Sequence, residues 1–252
     1  MAATGGGVMM EKGLRSKEKG GGARPLHTTG RTSSRMNAAE KAAVLAAMGE
    51  HPLPKILPPL VELELGIGNG EALAARAKAD PARFFIGSDV YLNGLAQAAR
   101  FARGLPNAAL TNADARDLLA SLPAASVQRV VVPHPDPWPK ASHHKRRLVQ
   151  PEFLAACARV LQPGGELWVV TDWPDYAFQT LALLHRHPQL QLQQTREAAA
   201  RCKVKPGGAG TQPLGPHRLA QPPAWWVPTK YQQKALALGR APWFVGAVRT
   251  AC

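Results

Sequence analysis

From Leu60 onward, short apolar runs alternate with segments whose apolar positions recur every three to four residues. LVELEL (60–65), FFIGSDV (84–90), AALTNAD (108–114), VQRVVVP (127–133) and ELWVVTD (166–172) are aliphatic or aromatic runs bounded by turn formers, the pattern of buried strands. Between them, EALAARAKAD (71–80), NGLAQAARFARG (93–104) and PEFLAACARVL (151–161) carry helical spacing. A helix is also predicted over DYAFQTLALLHRH (175–187), and PWFVGAVR (242–249) reads as a late strand joining the same sheet. Strand and helix in repeated alternation predict an α/β fold, a doubly wound and mostly parallel sheet with helices on both faces.

Upstream of this core, NAAEKAAVLAAMGEH (37–51) places Asn37 as an N-cap with Glu40 three residues on, the capping-box spacing. The prolines of PLPKILPPL then bar that helix from running into LVELEL. Residues 1–36 show no apolar period and read as a basic, disordered arm. The remainder, 37–252, reads as one domain interrupted by an irregular Pro/Gly-rich loop over 196–228. PGG (163–165) marks a turn, and no internal repeat is present.

Charge narrows the field of partners. Across 252 residues, 31 Lys and Arg face 17 Asp and Glu, a formal net charge of +14, which favours a polyanion. After Asp175 the only acidic residue is Glu197, against ten Lys and Arg between Arg186 and Arg249, so the bias is strongest where the chain ends. Cys157, Cys202 and Cys252 form neither a disulfide framework nor a zinc-spaced cluster, and no metal is expected. No run approaches the roughly 20 apolar residues of a membrane helix. A cytoplasmic protein without a membrane partner is the expectation; the basic arm leaves organelle targeting open.

ELGIGNG (64–70) lies where the first strand hands over to a helix. Gly66, Gly68 and Gly70 give GxGxG, whereas the dinucleotide fingerprint is GxGxxG and cradles a pyrophosphate. S-adenosylmethionine (SAM) has no phosphate and carries an ammonium and a sulfonium, so the acidic Glu64 beside the loop suits SAM better than NAD. Asp89 ends the second strand, where a carboxylate can accept ribose hydroxyls, and Asp114 ends the third. One acidic strand end is as well explained by a helix cap; three in succession point to a site.

Residues 133–147 read PHPDPWPKASHHKRR. An Asp between prolines is ordinarily a turn former, but Asp136 follows a fourth strand and precedes Trp138, which makes it the fourth carboxylate of the series. His144, Lys145, Arg146 and Arg147 just beyond it are candidates for contacts to nucleic-acid phosphates.

PDPWPK, the following HHKRRLVQPEF, and TDWPDYA (171–177) together resemble the bacterial tRNA (guanine-N7)-methyltransferases, whose hallmark is PDPWxK followed closely by KRR. The resemblance runs from about residue 24 to 249. GRTSSRMN (30–37) looks like a degraded GRxT segment, and TKYQQKALALG (229–239) is similar to the family's TKxExKG-like segment. It implies a seven-stranded Rossmann-like, SAM-dependent enzyme that methylates N7 of a variable-loop guanine in tRNA. On this resemblance Glu64, Gly66, Gly68, Gly70, Asp89, Asp114 and Asp136 would hold the cofactor, with Asp136 also catalytic. Lys140, Asp172, Thr229 and Gln232 would meet the guanine nucleotide. A monomer or homodimer is expected, with no obligate protein partner.

Several positions depart from the family pattern. Its acidic residue in the last segment is Gln232 here, its aromatic position before PDPW is His134, and the residue after the tryptophan is Pro139. Trp225 and Trp226 have no counterpart in the pattern; packing and base stacking are both open to them. The departures leave two other readings: a tRNA-binding relative with weakened catalysis, or a methyltransferase of the same fold acting on another RNA or a small molecule.

Overall fold

The structure, a computed structural model, describes residues 36–193 and 222–251 together with the strand Val8–Met9. Most of the expected basic arm and of the expected 196–228 loop lie outside the described residues, but Val8–Met9, expected to be disordered, pairs antiparallel with Ile56–Leu57. Five parallel strands form in the expected places: β1 (Val61–Leu65), β2 (Phe84–Ser88), β3 (Ala108–Thr111), β4 (Val127–Pro133) and β5 (Leu161–Thr171). Two antiparallel strands complete the sheet, β6 (Leu190–Leu192) and β7 (Trp243–Arg249). The order across the sheet is β3-β2-β1-β4-β5-β7-β6. Successive strands are added outward from β1 in one direction as far as β3 and in the other from β4, so the strand order reverses between β1 and β4, which opens the crevice where doubly wound sheets bind ligands.

The helices are α1 (Ala38–Gly49), α2 (Glu71–Ala79), α3 (Leu92–Ala102), α4 (Ala115–Ser121), α5 (Pro151–Val160), α6 (Pro174–His185) and α7 (Lys230–Ala237). The capping box at α1 is present in both directions: Glu40 N donates to Asn37 Oδ1 at 2.9 Å and Asn37 N to Glu40 Oε2 at 2.8 Å. Leu118, Phe153, Leu154, Tyr176 and Leu181 from α4, α5 and α6 pack on Leu63, Val130 and Val169 of the sheet. On the other face Val44, Met48, Leu73 and Leu95 from α1, α2 and α3 cover Phe85 and Leu110. The β5–β7 part of that second face is covered instead by Trp225 and Trp226, packed on Trp168, Val170 and Phe244.

Three local features differ from the expectation. The PGG turn does not precede β5 but is a bulge inside it, with Gly164 at φ 78° and the register shifting between Val127 and Arg129. Strand β6 and helix α4 carry too few residues to show a periodic pattern, and they pack against β7 and α5. Among the described residues no helix is long and apolar enough to cross a membrane.

Candidate active site

Every acidic residue picked out along the chain sits at or just beyond the carboxyl end of a parallel strand, on one edge of the sheet. The chain leaves β1 through Gly66 and Ile67, whose amides both donate to the Ser88 carbonyl at 2.8 and 3.1 Å, and this folds the glycine loop over the end of β2. Gly68 and Gly70 take φ values of 57° and 72°, in the left-handed region. A methyl group at Gly70 would meet Ala98 Cβ at 2.5 Å, so the glycine also lets α2 and α3 close up.

Asp89 braces this loop. Its Oδ2 accepts from Gly68 N and its Oδ1 from Tyr91 N, both at 2.8 Å, leaving each oxygen a lone pair for a ribose hydroxyl. Burial raises its pKa against the pull of those two amides, and nearby Asp136 raises it further. Asp136 itself opens to solvent, yet the walls around it displace enough water to raise its pKa as well. Two carboxylates whose negative charges add in one neighbourhood favour a cationic ligand. Asp114 caps α4, its Oδ1 accepting from Arg116 N at 2.9 Å.

Glu64 is placed differently from the expectation. It is 1% exposed and paired with the buried Arg76, which also bonds Glu62 at 2.8 Å. Burial opposes charge on Arg76, but Glu64 and Glu62 outweigh it and hold the guanidinium above its ordinary range. The Glu64 carboxylate is thus engaged by Arg76 at the end of β1. Arg129 continues the network to Glu62 and Glu166 at 2.8 and 3.0 Å, and its guanidinium lies 4.0 Å from the centroid of Trp225.

Around Asp136 the backbone is strained on both sides. His134 and Trp138 have φ values of 47° and 41°, at a cost of about 1–3 kcal/mol each. Prolines 135, 137 and 139 alternate with them and disfavour helical backbone at each preceding residue, so the turn is stiff. His134 is nearly buried, its Nδ1 lying 3.5 Å from Asp172 Oδ1, an electrostatic contact too long for a good hydrogen bond. Asp172 Oδ2 accepts from Arg240 Nε at 2.9 Å. The aspartate assigned to guanine is therefore clamped between two basic groups, of which Arg240 was not among the sequence candidates.

The HHKRR cluster divides by direction. Ala141–Arg146 forms a 3-10 helix in which Lys145 and Arg146 are exposed, as is Lys140 before it. Arg146 stacks 5.0 Å from the Trp138 centroid. Arg147, assigned to phosphate, is corrected: it is 1% exposed, donating to Pro137 O at 2.8 Å and Asp175 Oδ2 at 2.6 Å and lying over the Tyr176 ring. Its charge anchors the PDPW turn to α6. His144 joins this anchor, 3.0 Å from Arg147 Nη2.

The last segment returns to the loop. Thr229 Oγ1 accepts from Gln232 N at 3.1 Å and caps α7. Gln232 is 7% exposed, and its Oε1 accepts from Trp226 Nε1 at 2.8 Å, so its carbonyl faces the protein interior. Beside it, Tyr231 packs on the glycine loop; the TKY sequence carried no periodic or charge signal that singled it out.

A parallel sheet in this strand order, with a glycine loop and carboxylates at successive strand ends, defines a Rossmann-like methyltransferase fold. A family described as "Putative methyltransferase" matches residues 59–209. A tRNA (guanine-N(7)-)-methyltransferase of Roseobacter denitrificans is 38% identical over 203 residues, covering 78% of each chain. One from Caulobacter vibrioides is 36% identical over 228 residues, covering 84% of this chain and 90% of the relative. The chain belongs to the tRNA (guanine-N(7)-)-methyltransferase family.

Proposed function

We propose that this protein transfers a methyl group from SAM to N7 of a guanine in tRNA. The observation that carries the reading is the glycine loop after β1, braced by Asp89 at the end of β2, with Asp136 just beyond the adjacent β4. The donor set fits SAM: Asp89 retains acceptor capacity for a ribose diol, and the paired negative charge favours a cationic ligand over a phosphate. Among the described residues no group of three or more His, Cys, Asp or Glu is placed to hold a metal ion.

SAM supplies an electrophilic methyl on a cationic sulfur, and guanine N7 offers an in-plane lone pair with no proton to lose. The protein's task is therefore alignment more than base catalysis. Asp136, held on a strained, proline-stiffened turn, would stabilise electrostatically the positive charge passing from donor to purine. Asp172, clamped by His134 and Arg240, lies at the neighbouring strand end as an acceptor for the base's donor edge. The Thr229 hydroxyl keeps its proton to donate while its oxygen caps α7. Lys140, Lys145 and Arg146 face solvent beside the same turn and would meet the tRNA backbone. On this reading the enzyme works on tRNA in the cytoplasm.

Incubation with unmodified tRNA and SAM, followed by mass spectrometry of the nucleosides, tests both activity and position. N7-methylguanosine is the expected product. SAM binding without that product would remove the proposed reaction and favour a tRNA-binding relative instead.

A further inference from the structure

The family segment at 229–239 was expected to reach the base through Gln232, but the residue of that segment that touches the cofactor loop is its neighbour. Tyr231 Cε2 lies 3.2 Å from the position a Gly68 Cβ would occupy, so the ring rests on the turn that Asp89 holds from beneath through Gly68 N. The ring is 57% exposed and belongs to none of the buried clusters. Lys234 Nζ lies 5.7 Å from the ring centroid, and the ring otherwise stands half in water above the glycine loop.

Its position follows from the strut behind it. Trp226 is wedged against Phe244 with ring centroids 5.3 Å apart, and Trp225 contacts Trp168 at 5.9 Å. The Trp226 indole donates to Gln232 Oε1 at 2.8 Å, one residue along α7 from Tyr231. Gln232 thereby fixes the azimuth of an eight-residue helix.

We propose that Tyr231 is a binding residue for the methyl donor, its ring packing on the donor held at the glycine loop, and that the Trp226–Gln232 hydrogen bond positions it there. The proposal rests on the reading of the site as a SAM site. A ring presents a negative π face to a cationic ligand and a flat apolar surface to its nucleoside. Burial beside Asp89, Tyr91 and Asp136 raises the phenol pKa, so the hydroxyl stays protonated near two carboxylates and adds no third negative charge. Gln232 in this account is a positioning residue, and its neutral amide serves as well as a carboxylate because only one acceptor oxygen is needed.

Calorimetric titration of the full chain with SAM and with S-adenosylhomocysteine tests both halves. Tyr231→Leu is expected to weaken SAM about ten-fold with no change in melting temperature, the cationic donor losing more than the neutral product, and Tyr231→Phe to recover most of the loss. Gln232→Leu and Trp226→Phe are expected to weaken SAM by a similar smaller factor, the double variant losing no more than the worse single one, and Gln232→Glu to restore binding. Unchanged SAM affinity in Tyr231→Leu overturns the proposal. Loss in Tyr231→Leu with full affinity in Gln232→Leu overturns the positioning half. If the unaltered protein binds no SAM, the donor assignment of the whole site fails.

Discussion

Arg147 donates to the carbonyl of Pro137 at 2.8 Å from a position that is 1% exposed, so the turn carrying Asp136 is fastened to the interior by a buried cation. Its neighbour Arg146 points outward along the same short helix. Two adjacent arginines of one basic run thus do different work. Arg147→Met is expected to lower stability by about 3 kcal/mol, leaving the Pro137 carbonyl and Asp175 without their donor. Arg146→Ala is expected to shift stability by no more than about 0.5 kcal/mol and to flatten the salt dependence of tRNA binding. Urea unfolding and filter binding across a salt series separate the two.

Asp136→Asn is expected to lower kcat by about 100-fold or more, since a charge fixed beside the transferring methyl is lost while the turn is kept. Its raised pKa means that the folded protein holds the proton more tightly than the unfolded chain. Stability therefore declines as pH rises from the ordinary aspartate range through the raised folded pKa. The Asn variant removes that decline, so its melting temperature at neutral pH equals or exceeds that of the unaltered protein. A lower melting temperature would make Asp136 a structural residue.

For His134 the sign is opposite. Burial lowers its pKa against the attraction of Asp172, so the unfolded chain takes up the proton more readily. Stability is full above the unfolded histidine pKa and falls as pH drops from there toward the lowered folded value. His134→Phe, which places an aromatic ring where the family pattern has one, is expected to abolish this acid-side loss. Melting curves from neutral pH down to about 5 provide the check, that range bracketing the usual imidazole pKa.

Removing Arg76 leaves Glu62 and Glu64 buried with one fewer cation between them. Arg76→Met is expected to cost about 3–5 kcal/mol by denaturant titration. Trp225→Leu, which uncovers the Arg129 guanidinium, is expected to cost less, about 2 kcal/mol, because the ion pairs to Glu62 and Glu166 survive.

Much of the sheet was readable along the chain because each core strand is a short run of aliphatic side chains that can only be buried, and each intervening segment repeats at helical spacing. Glu64 shows where that reading stops. Next to a glycine loop it looks like a ligand, and only the tertiary structure shows that β1 is buried on both faces and that Arg76 reaches it from α2, although burial still outweighs Arg76 and raises the Glu64 pKa. Arg147 is the same case in reverse, a cation that local sequence assigns to a surface cluster and the packing of α6 turns inward. Trp225 and Trp226 had no role until the uncovered part of the second sheet face was visible.

Local pattern was enough for the five parallel strands and most of the helices, the glycine loop and the acidic strand ends, since these depend on periodicity and backbone freedom that neighbouring residues express. Which carboxylates remain available depends on side chains far apart in sequence that compete for the same partner. Asp172 meets Arg240 across 68 positions and Gly68 meets Tyr231 across 163. Electrostatic matching and desolvation act through space, and only the folded chain decides that Asp136 stays exposed and Asp89 half-buried while Glu64 and Arg147 are paired inside.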